Sequence, residues 1–282
     1  MLPYFYIQQL EISSEISRGE HGEGWFAGFP VDQPNVFFED EEQKNAKGLR
    51  LTLGQESDLN SGTTITLDET NSKHAVQVLR MKVGDQMHLT DGKGHLITGT
   101  IVNDHRKHCQ VSIDFIEPEE KQGSEVTIAI ALTKNASRFE WFLEKAAELG
   151  VSRVVPLITR RTETQKFKED RLQNILVSAM LQSQQTWLLQ MGTPVEFNNF
   201  MAQQEYTSVN NKYIAHCIET HKQSLKYASS SSLILIGPEG DFTTEEIEAA
   251  LSNGYQPVTL GDTRLRTETA GMVAATLLRI DN

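Results

Sequence analysis

Cysteine and long apolar runs are both scarce in this sequence, and each scarcity narrows the class of protein. The two cysteines, Cys109 and Cys217, lie far apart and suggest neither a disulfide framework nor a metal-ligand pair, which fits a reducing compartment. No stretch approaches the roughly 18 apolar residues that cross a bilayer, and residues 1–10 lack the basic start of a signal peptide. We therefore expect a soluble cytoplasmic protein with no membrane contact.

Several familiar catalytic motifs are also missing. No P-loop, H-E-x-x-H or G-x-S-x-G sequence occurs in the 282 residues. The glycines between residues 19 and 28 do not have G-x-G-x-x-G spacing, and no predicted strand precedes them. The run 105-HRKHC-109 contains residue types that bind metals, but we interpret it as a hairpin turn and expect no metal site.

Basic residues are few, and the charge is unevenly distributed. The formal net charge of −12 argues against a general nucleic-acid coat, because neutralising phosphates needs clustered Lys and Arg. Residues 11–62 hold eleven acidic residues against four basic ones, so the remainder of the chain can still present a local basic face. Residues 13–62 have no sustained period of 2 or 3.6 and are rich in Gly, Ser and Asn. We interpret them as an acidic, flexible insertion.

A compact β-rich module is predicted on both sides of this insertion. Residues 4–7 predict a strand, and residues 64–118 predict several strands with a short helix at about 72–80. The dipeptides Asp91-Gly92 and Lys93-Gly94 predict a tight hairpin turn. We therefore assign residues 1–12 and 63–120 to a small barrel-type domain.

From residue 125 onward, strands and helices alternate. We predict strands at 126–132, 153–158, 212–216 and 233–237, and helices at 137–150, 169–188, 243–252 and 267–279. Capping boxes are predicted from Ser137 with Glu140 and from Thr243 with Glu246, and Gly150 is expected to end the first helix. Nearly continuous apolar strands that alternate with helices predict an α/β domain with a parallel sheet covered on both faces, over residues 125–282.

Two loops near the end of the chain each follow a predicted strand. Ligands of open α/β sheets bind beyond the carboxyl ends of the strands, so these loops are the candidate site. The first, 237-GPEG-240, is also well suited to an ordinary strand-to-helix turn. The second, 260-LGDTRLRTETAG-271, is also explained by a helix capped by Thr267. Capping leaves Arg264 and Arg266 unexplained, because two cations at a helix start oppose its dipole, so we expect an anion to meet them.

Taken together, four segments resemble one family. The segments IGPEGDF, LGDTRLRTETAG and 132-LTKNASRFEWFLEKAAELGV-151 are similar to the signatures of the ribosomal RNA small subunit methyltransferase E family, a branch of the SPOUT superfamily. The segment 72-SKHAVQVLRMKVGD-85 is similar to that family's PUA-like RNA-binding barrel. The resemblance covers about residues 63–280 and the first strand. It implies that the α/β domain is of the SPOUT type with a trefoil knot.

The resemblance also implies a reaction and its partners. It implies methyl transfer from S-adenosylmethionine to N3 of a uridine near the 3′ end of 16S ribosomal RNA in the small subunit, by a homodimer. Arg266 would stabilise the uridine anion and Glu268 would be the candidate base. The residues expected to hold the cofactor are Ile236, Gly237, Pro238, Glu239, Gly240, Leu260, Gly261, Leu265, Arg266, Thr267, Thr269 and Ala270. The residues expected to contact RNA are Lys73, His74, Arg80, Lys82, Lys134, Arg138, Arg160 and Arg161.

The sequence departs from the family pattern in three places, and two other readings stay open. The acidic insertion has no expected counterpart, Thr263 stands where the family has arginine while Arg264 follows it, and Asp241 replaces a glycine. One alternative is a SPOUT methyltransferase with another base or a 2′-hydroxyl as its target. The other is a non-catalytic RNA-binding protein of ribosome assembly, which would not bind S-adenosylmethionine.

Overall fold

The computed structural model describes residues 2–8, 10–13, 49–52, 63–163, 167–219 and 221–280. These residues form two compact units. The small unit comprises Ile7–Asp91 and Ile97–Ile116, and the large unit comprises Met1–Tyr6, Gly92–Leu96 and Glu117–Asn282.

The described strands are β1 (Tyr4–Tyr6), β2 (Leu10–Ser13), β3 (Leu49–Thr52), β4 (Thr64–Thr66), β5 (Gln86–Thr90), β6 (His95–Asn103), β7 (Gln110–Pro118), β8 (Val126–Ala131), β9 (Arg153–Ile158), β10 (Gln190–Met191), β11 (Val195–Glu196), β12 (Asn211–Ala215), β13 (Gln223–Ser224), β14 (Ser232–Ile236) and β15 (Gln256–Thr259). The described α-helices are α1 (Glu69–Lys73), α2 (Ala136–Glu148), α3 (Glu169–Gln182), α4 (Phe197–Met201), α5 (Gln204–Thr207), α6 (Thr244–Ser252) and α7 (Thr267–Arg279). In these residues no helix has the length and apolar character needed to cross a membrane.

The small unit is built on a sheet in which β5, β6, β7 and β4 are neighbours in that order. Its helix begins earlier than predicted, at Glu69, because the side chain of Asp68 accepts a hydrogen bond from the Asn71 N–H at 2.8 Å and caps it. A π-helical turn, His74–Val78, follows. The run 105–109 connects β6 to β7 as a turn, as predicted.

The acidic segment lies mostly outside the described residues. Its strand β3 pairs in parallel with β2, which precedes the segment, with Leu10 opposite Leu49, and the two form a separate two-stranded sheet. The interpretation of residues 13–62 as a flexible insertion therefore stays a prediction.

The large unit confirms the predicted parallel sheet. Its strands follow the order β10-β9-β8-β14-β12-β15-β13, and β11 also pairs with β9. The described pairs in this sheet are parallel. Every residue of the central β14 is buried. Ile234 and Ile236 belong to a core cluster with α2 and α7, whereas Leu233 and Leu235 belong to a cluster with Phe242 and α6, so both faces of the sheet are covered.

Two helix ends differ from the prediction. Asn135, not Ser137, caps α2, since its side chain accepts a hydrogen bond from the Ser137 N–H at 3.0 Å. Glu140 is not part of a capping box but accepts two hydrogen bonds from Arg171, at 2.6 and 2.9 Å. Helix α3 ends at Gln182, six residues before the predicted end, and Gln184 then adopts the left-handed φ of 56°.

Other predicted helix ends are confirmed. Thr243 and Glu246 form the expected capping box at the start of α6. Gly150 follows α2 with φ of 74°, the left-handed conformation that commonly ends a helix. Helix α7 has the predicted bounds, Thr267–Arg279.

Candidate functional site

Three neighbouring parallel strands end at the same edge of the large sheet and surround one cavity. In the register of β12 with its two neighbours, Ala215 lies opposite Ile236 of β14 and opposite Val258 of β15. The loops that follow these strands enclose a cavity of about 420 Å³. This is the edge at which open α/β sheets bind ligands.

Most of the predicted cofactor residues meet at this cavity. Those that line it are Ile236, Gly237, Pro238, Glu239, Leu260, Gly261, Leu265, Thr267 and Ala270. Gly240, Arg266 and Thr269 belong to the same loops but are not part of the lining. The lining also contains residues that we did not predict, namely Ala215, His216, Cys217, Lys222, Asp241, Val258, Thr259, Asp262, Thr263 and Arg264.

The turn after β14 is compact, and Gly237 packs closely against Phe242 there. A Cβ on Gly237 would lie 3.1 Å from the ring of Phe242 and 3.2 Å from its backbone nitrogen. The turn closes through a hydrogen bond from the Asp241 N–H to the Pro238 carbonyl at 2.9 Å. On its outer side, the Arg161 guanidinium donates to the Gly240 carbonyl at 2.7 Å. The backbone facing the cavity is thereby fixed.

Asp241 connects two walls of the cavity. One carboxylate oxygen accepts a hydrogen bond from the Cys217 N–H, in the loop after β12, at 2.8 Å, and the other accepts from the Phe242 N–H at 2.9 Å. Asp241 has φ of 65°, a conformation that glycine adopts freely and aspartate adopts more readily than most residues. The departure from the family glycine therefore keeps the turn and adds a link between loops.

Thr267 connects the other two loops and is not the helix cap that we expected. Arg266 occupies the N-cap position of α7, and its side chain makes no capping hydrogen bond. The hydroxyl of Thr267 is buried and donates to the Gly237 carbonyl at 3.0 Å. The turn after β14 is thus held against the start of α7.

The loop after β15 carries exposed positive charge at the cavity. Gly261 has φ of 139°, which side-chain-bearing residues rarely adopt, and Thr259 donates to its carbonyl at 2.8 Å. Arg264 lines the cavity, and both Arg264 and Arg266 are exposed. Neither forms a salt bridge with a carboxylate of the described chain, so the anion that we expected to meet them is not one of these carboxylates.

Glu268 lies beside this loop and not in the lining. It is buried, its Oε2 has no hydrogen-bond partner in the described part of the chain, and its Oε1 is 3.7 Å from Nε of Arg138. Glu268, the predicted base, and Arg138, a predicted RNA contact, are therefore neighbours.

His216 is the main polar residue of the wall that sequence reasoning missed. It is 8% exposed, and neither ring nitrogen has a hydrogen-bond partner among the described residues. Burial and the nearby Lys222 ammonium lower the pKa of His216, while Asp241 and the backbone of Ile218 raise it to a smaller extent. Neither Asp241 nor Ile218 makes a hydrogen bond of good geometry to the ring. The ring is therefore neutral near pH 7.

The predicted RNA-contacting cations differ in their surroundings. In the small unit, Lys73 pairs with Glu69 at 2.7 Å and Lys82 with Asp104 at 3.5 Å. His74 and Arg80 are exposed there, Arg80 with a left-handed φ of 57°.

The cations of the large unit lie near the cavity loops. Lys134 pairs with Glu163 at 2.7 Å, and its backbone N–H donates to Glu239 at 3.4 Å. Arg160 is exposed, and its backbone N–H donates to Glu246 at 2.8 Å. The guanidinium of Arg161 donates to the Gly240 carbonyl and stabilises the turn after β14, so Arg161 has a structural role.

The loop after β12 was not predicted to line the cavity, because its position depends on the order of strands in the sheet, which no local motif encodes. Residues 212–216 were predicted as a strand, but nothing in that segment indicates that it lies between β14 and β15. The signal that could have pointed to the loop is His216 directly after an apolar strand, and it is weak by itself.

Comparisons with known proteins agree with this geometry. The model of an RNA methyltransferase domain matches residues 119–279, and that of an RNA methyltransferase PUA domain matches residues 67–114. Ribosomal RNA small subunit methyltransferase E of Synechocystis sp. is 31% identical over 220 residues, which are 75% of this chain and 71% of that protein.

Solved structures are similar as well. A probable rRNA-methyltransferase from Porphyromonas gingivalis is 38% identical with a TM-score of 0.71, over 75% of this chain and 90% of that chain. Ribosomal RNA small subunit methyltransferase E from Neisseria gonorrhoeae, bound to S-adenosyl methionine, is 27% identical with a TM-score of 0.68, over 76% and 90% of the two chains. With motifs, domain matches and relatives in agreement, the chain belongs to the ribosomal RNA small subunit methyltransferase E family.

Proposed function

We propose that this protein transfers a methyl group from S-adenosylmethionine to N3 of a uridine in the RNA of the small ribosomal subunit. The observation that carries the proposal is the cavity at the ends of β14, β12 and β15. Two of the three loops that enclose it have sequences that resemble the family signatures. The Neisseria gonorrhoeae relative, which is bound to S-adenosyl methionine, supports the choice of cofactor.

The cavity residues fit the adenosine part of this cofactor. Ile236, Val258, Leu260 and Leu265 supply apolar side chains that can flank a flat adenine ring. The surrounding loops supply backbone N–H and C=O groups for its polar edges. The ring of His216, which belongs to the lining, is buried and has no hydrogen-bond partner among the described residues.

The reaction requires N3 of the uridine to lose its proton. When bound, the cofactor supplies an electrophilic methyl group on its sulfonium. A cation near the uridine carbonyls stabilises the negative charge that develops as the proton leaves. We assign this role to Arg266, which is exposed between two residues of the lining, Leu265 and Thr267. Glu268 is the proposed proton acceptor, with Arg138 beside it.

Three further features belong to the proposal. Residues 1–12 and 63–120 would be the PUA-like RNA-binding domain, and residues 125–282 the SPOUT domain with a trefoil knot. The active form would be a homodimer. RNA would be held by exposed cations of both units, among which Arg160 and Arg80 form no salt bridge with a described carboxylate.

Binding and transfer can be tested separately. Calorimetry should detect S-adenosylmethionine binding by the wild-type protein, and absence of binding would refute the proposal.

Arg266→Ala should lower turnover on small-subunit RNA by at least about a hundredfold, the order expected when a transition-state charge loses its partner. Its cofactor affinity should be unchanged. Lys226→Ala, an exposed cation outside the lining, is the matched control. Retained turnover in Arg266→Ala would contradict its assigned role.

A further inference from the structure

His216 belongs to the lining of the cavity, and its buried ring makes no hydrogen bond of good geometry to the described chain, including the nearby backbone of Ile218. The residue is more than nine-tenths buried, and both Nδ1 and Nε2 are shielded from solvent. It follows Ala215 directly, so it begins the loop after β12, the strand that lies between β14 and β15 in the sheet. Buried polar atoms in native proteins are nearly always hydrogen-bonded, so a missing partner inside a cavity points to a ligand.

The charged neighbours of His216 already have partners of their own. The Lys222 ammonium donates to the His216 backbone carbonyl at 2.7 Å. Both carboxylate oxygens of Asp241 accept backbone N–H groups, from Cys217 and Phe242. Lys222 and Asp241 keep spare donors and lone pairs, but of these three side chains the imidazole is the one with no hydrogen bond to the described chain.

The chemistry of the ring restricts what it can bind. A neutral imidazole offers one N–H donor and one nitrogen acceptor. This pair matches an uncharged group that also donates and accepts, such as a ribose hydroxyl. A carboxylate could use only the donor and an ammonium only the acceptor, so each would leave one ring nitrogen without a partner. The apolar neighbours Ile236 and Val258 on the adjacent strands also favour the uncharged half of a nucleoside ligand.

We propose that His216 is a binding residue of this enzyme and hydrogen-bonds the adenosine half of S-adenosylmethionine. The inference rests on the proposed function, because it names a contact with the cofactor of that function. It assigns a role to the loop after β12, which none of the four segments that resemble the family includes.

The test measures binding of two ligands by calorimetry at pH 7.5. The ligands are S-adenosylmethionine and 5′-methylthioadenosine, which keeps the adenosine but lacks the charged amino-acid part. His216→Phe should lose at least about tenfold in affinity for both ligands. His216→Gln keeps one donor and one acceptor and should retain more of the affinity than His216→Phe. His221→Phe, an exposed histidine of the same loop outside the lining, should bind as the wild type does.

A second measurement checks that the loop of each variant is intact. Cys217 is exposed next to His216, whereas Cys109 is buried, so a thiol reagent reports on this loop in the native protein. Equal reaction rates for wild type and His216→Phe would show that the loss of affinity does not come from a disordered loop.

The outcomes separate the two proposals. A wild-type protein that binds neither ligand refutes the proposed function and this inference with it. Normal wild-type binding with unchanged affinity in His216→Phe refutes the inference alone. A loss for S-adenosylmethionine without a loss for 5′-methylthioadenosine also refutes it, because the contact would then be with the amino-acid half.

Discussion

At the scale of single residues, the hydroxyl of Thr267 is the smallest feature that holds the cavity together. It is buried and donates to the Gly237 carbonyl. Thr267→Val keeps the shape but removes the donor, so it should lower the free energy of unfolding by about 1–3 kcal/mol. Urea denaturation checks this value. Thr267→Ser retains the hydroxyl and should lose less, and equal losses in the two variants would contradict the role of the hydrogen bond.

His216 makes a second residue-scale prediction, about pH. Burial and Lys222 lower its pKa below the ordinary value of 6.5, despite the opposing charge of Asp241. As the pH falls through 6.5, the unfolded chain takes up the proton first, so the folded state loses stability. His216→Gln cannot titrate and should lose less stability than wild type between pH 7.5 and pH 5.5, as measured by chemical denaturation. Identical losses would contradict the lowered pKa.

At the scale of elements, close packing of α7 against α2 and β8 depends on Gly271. A Cβ on Gly271 would lie 2.6 Å from the Phe142 ring and 2.8 Å from Ile130. Gly271→Ala should therefore destabilise the protein by about 1–3 kcal/mol through overpacking, although alanine favours a helix by about 1 kcal/mol.

A double-mutant cycle tests the cause of this loss. Phe142→Leu removes the ring that the new methyl group would meet, so the loss in the double variant should be smaller than the sum of the two single losses. Strictly additive losses, measured by urea denaturation, would show that the methyl group does not contact Phe142.

Local sequence patterns predicted the bounds of some helices and strands but not of others. Residues 153–158 and 267–279 were predicted with their observed bounds, because apolar periodicity and end signals agree there. The start of α2 was misplaced, because Asn135 and Ser137 are both good caps and the path of the chain decides between them.

At the scale of the whole molecule, the limit of sequence reasoning is sheet order. Motifs identified the loops after β14 and β15, and the predicted residues from both line one cavity. The loop with His216 and Lys222 was missed because only the folded sheet places β12 between those two strands. Arg266 was predicted to bind the cofactor but lies outside the lining, since residue spacing does not tell which side of a loop faces a cavity.

The acidic segment gives a whole-molecule prediction. Its strand β3 pairs with β2, which precedes the segment, in a two-stranded sheet apart from the two larger sheets of the described chain. Deleting residues 13–61 should therefore change the melting temperature little, and cofactor affinity should stay the same. A large loss of melting temperature, followed by calorimetry or circular dichroism, would show that the segment packs on the remainder of the protein.

The position of the transferred methyl group tests the proposed function most directly. Small-subunit RNA from a strain that lacks this gene would be incubated with the purified protein and S-adenosylmethionine, digested to nucleosides and analysed by mass spectrometry. We expect new N3-methyluridine with wild-type protein and little or none with Arg266→Ala. A methyl group on another base or on a 2′-hydroxyl, or no transfer at all, would contradict the proposed function.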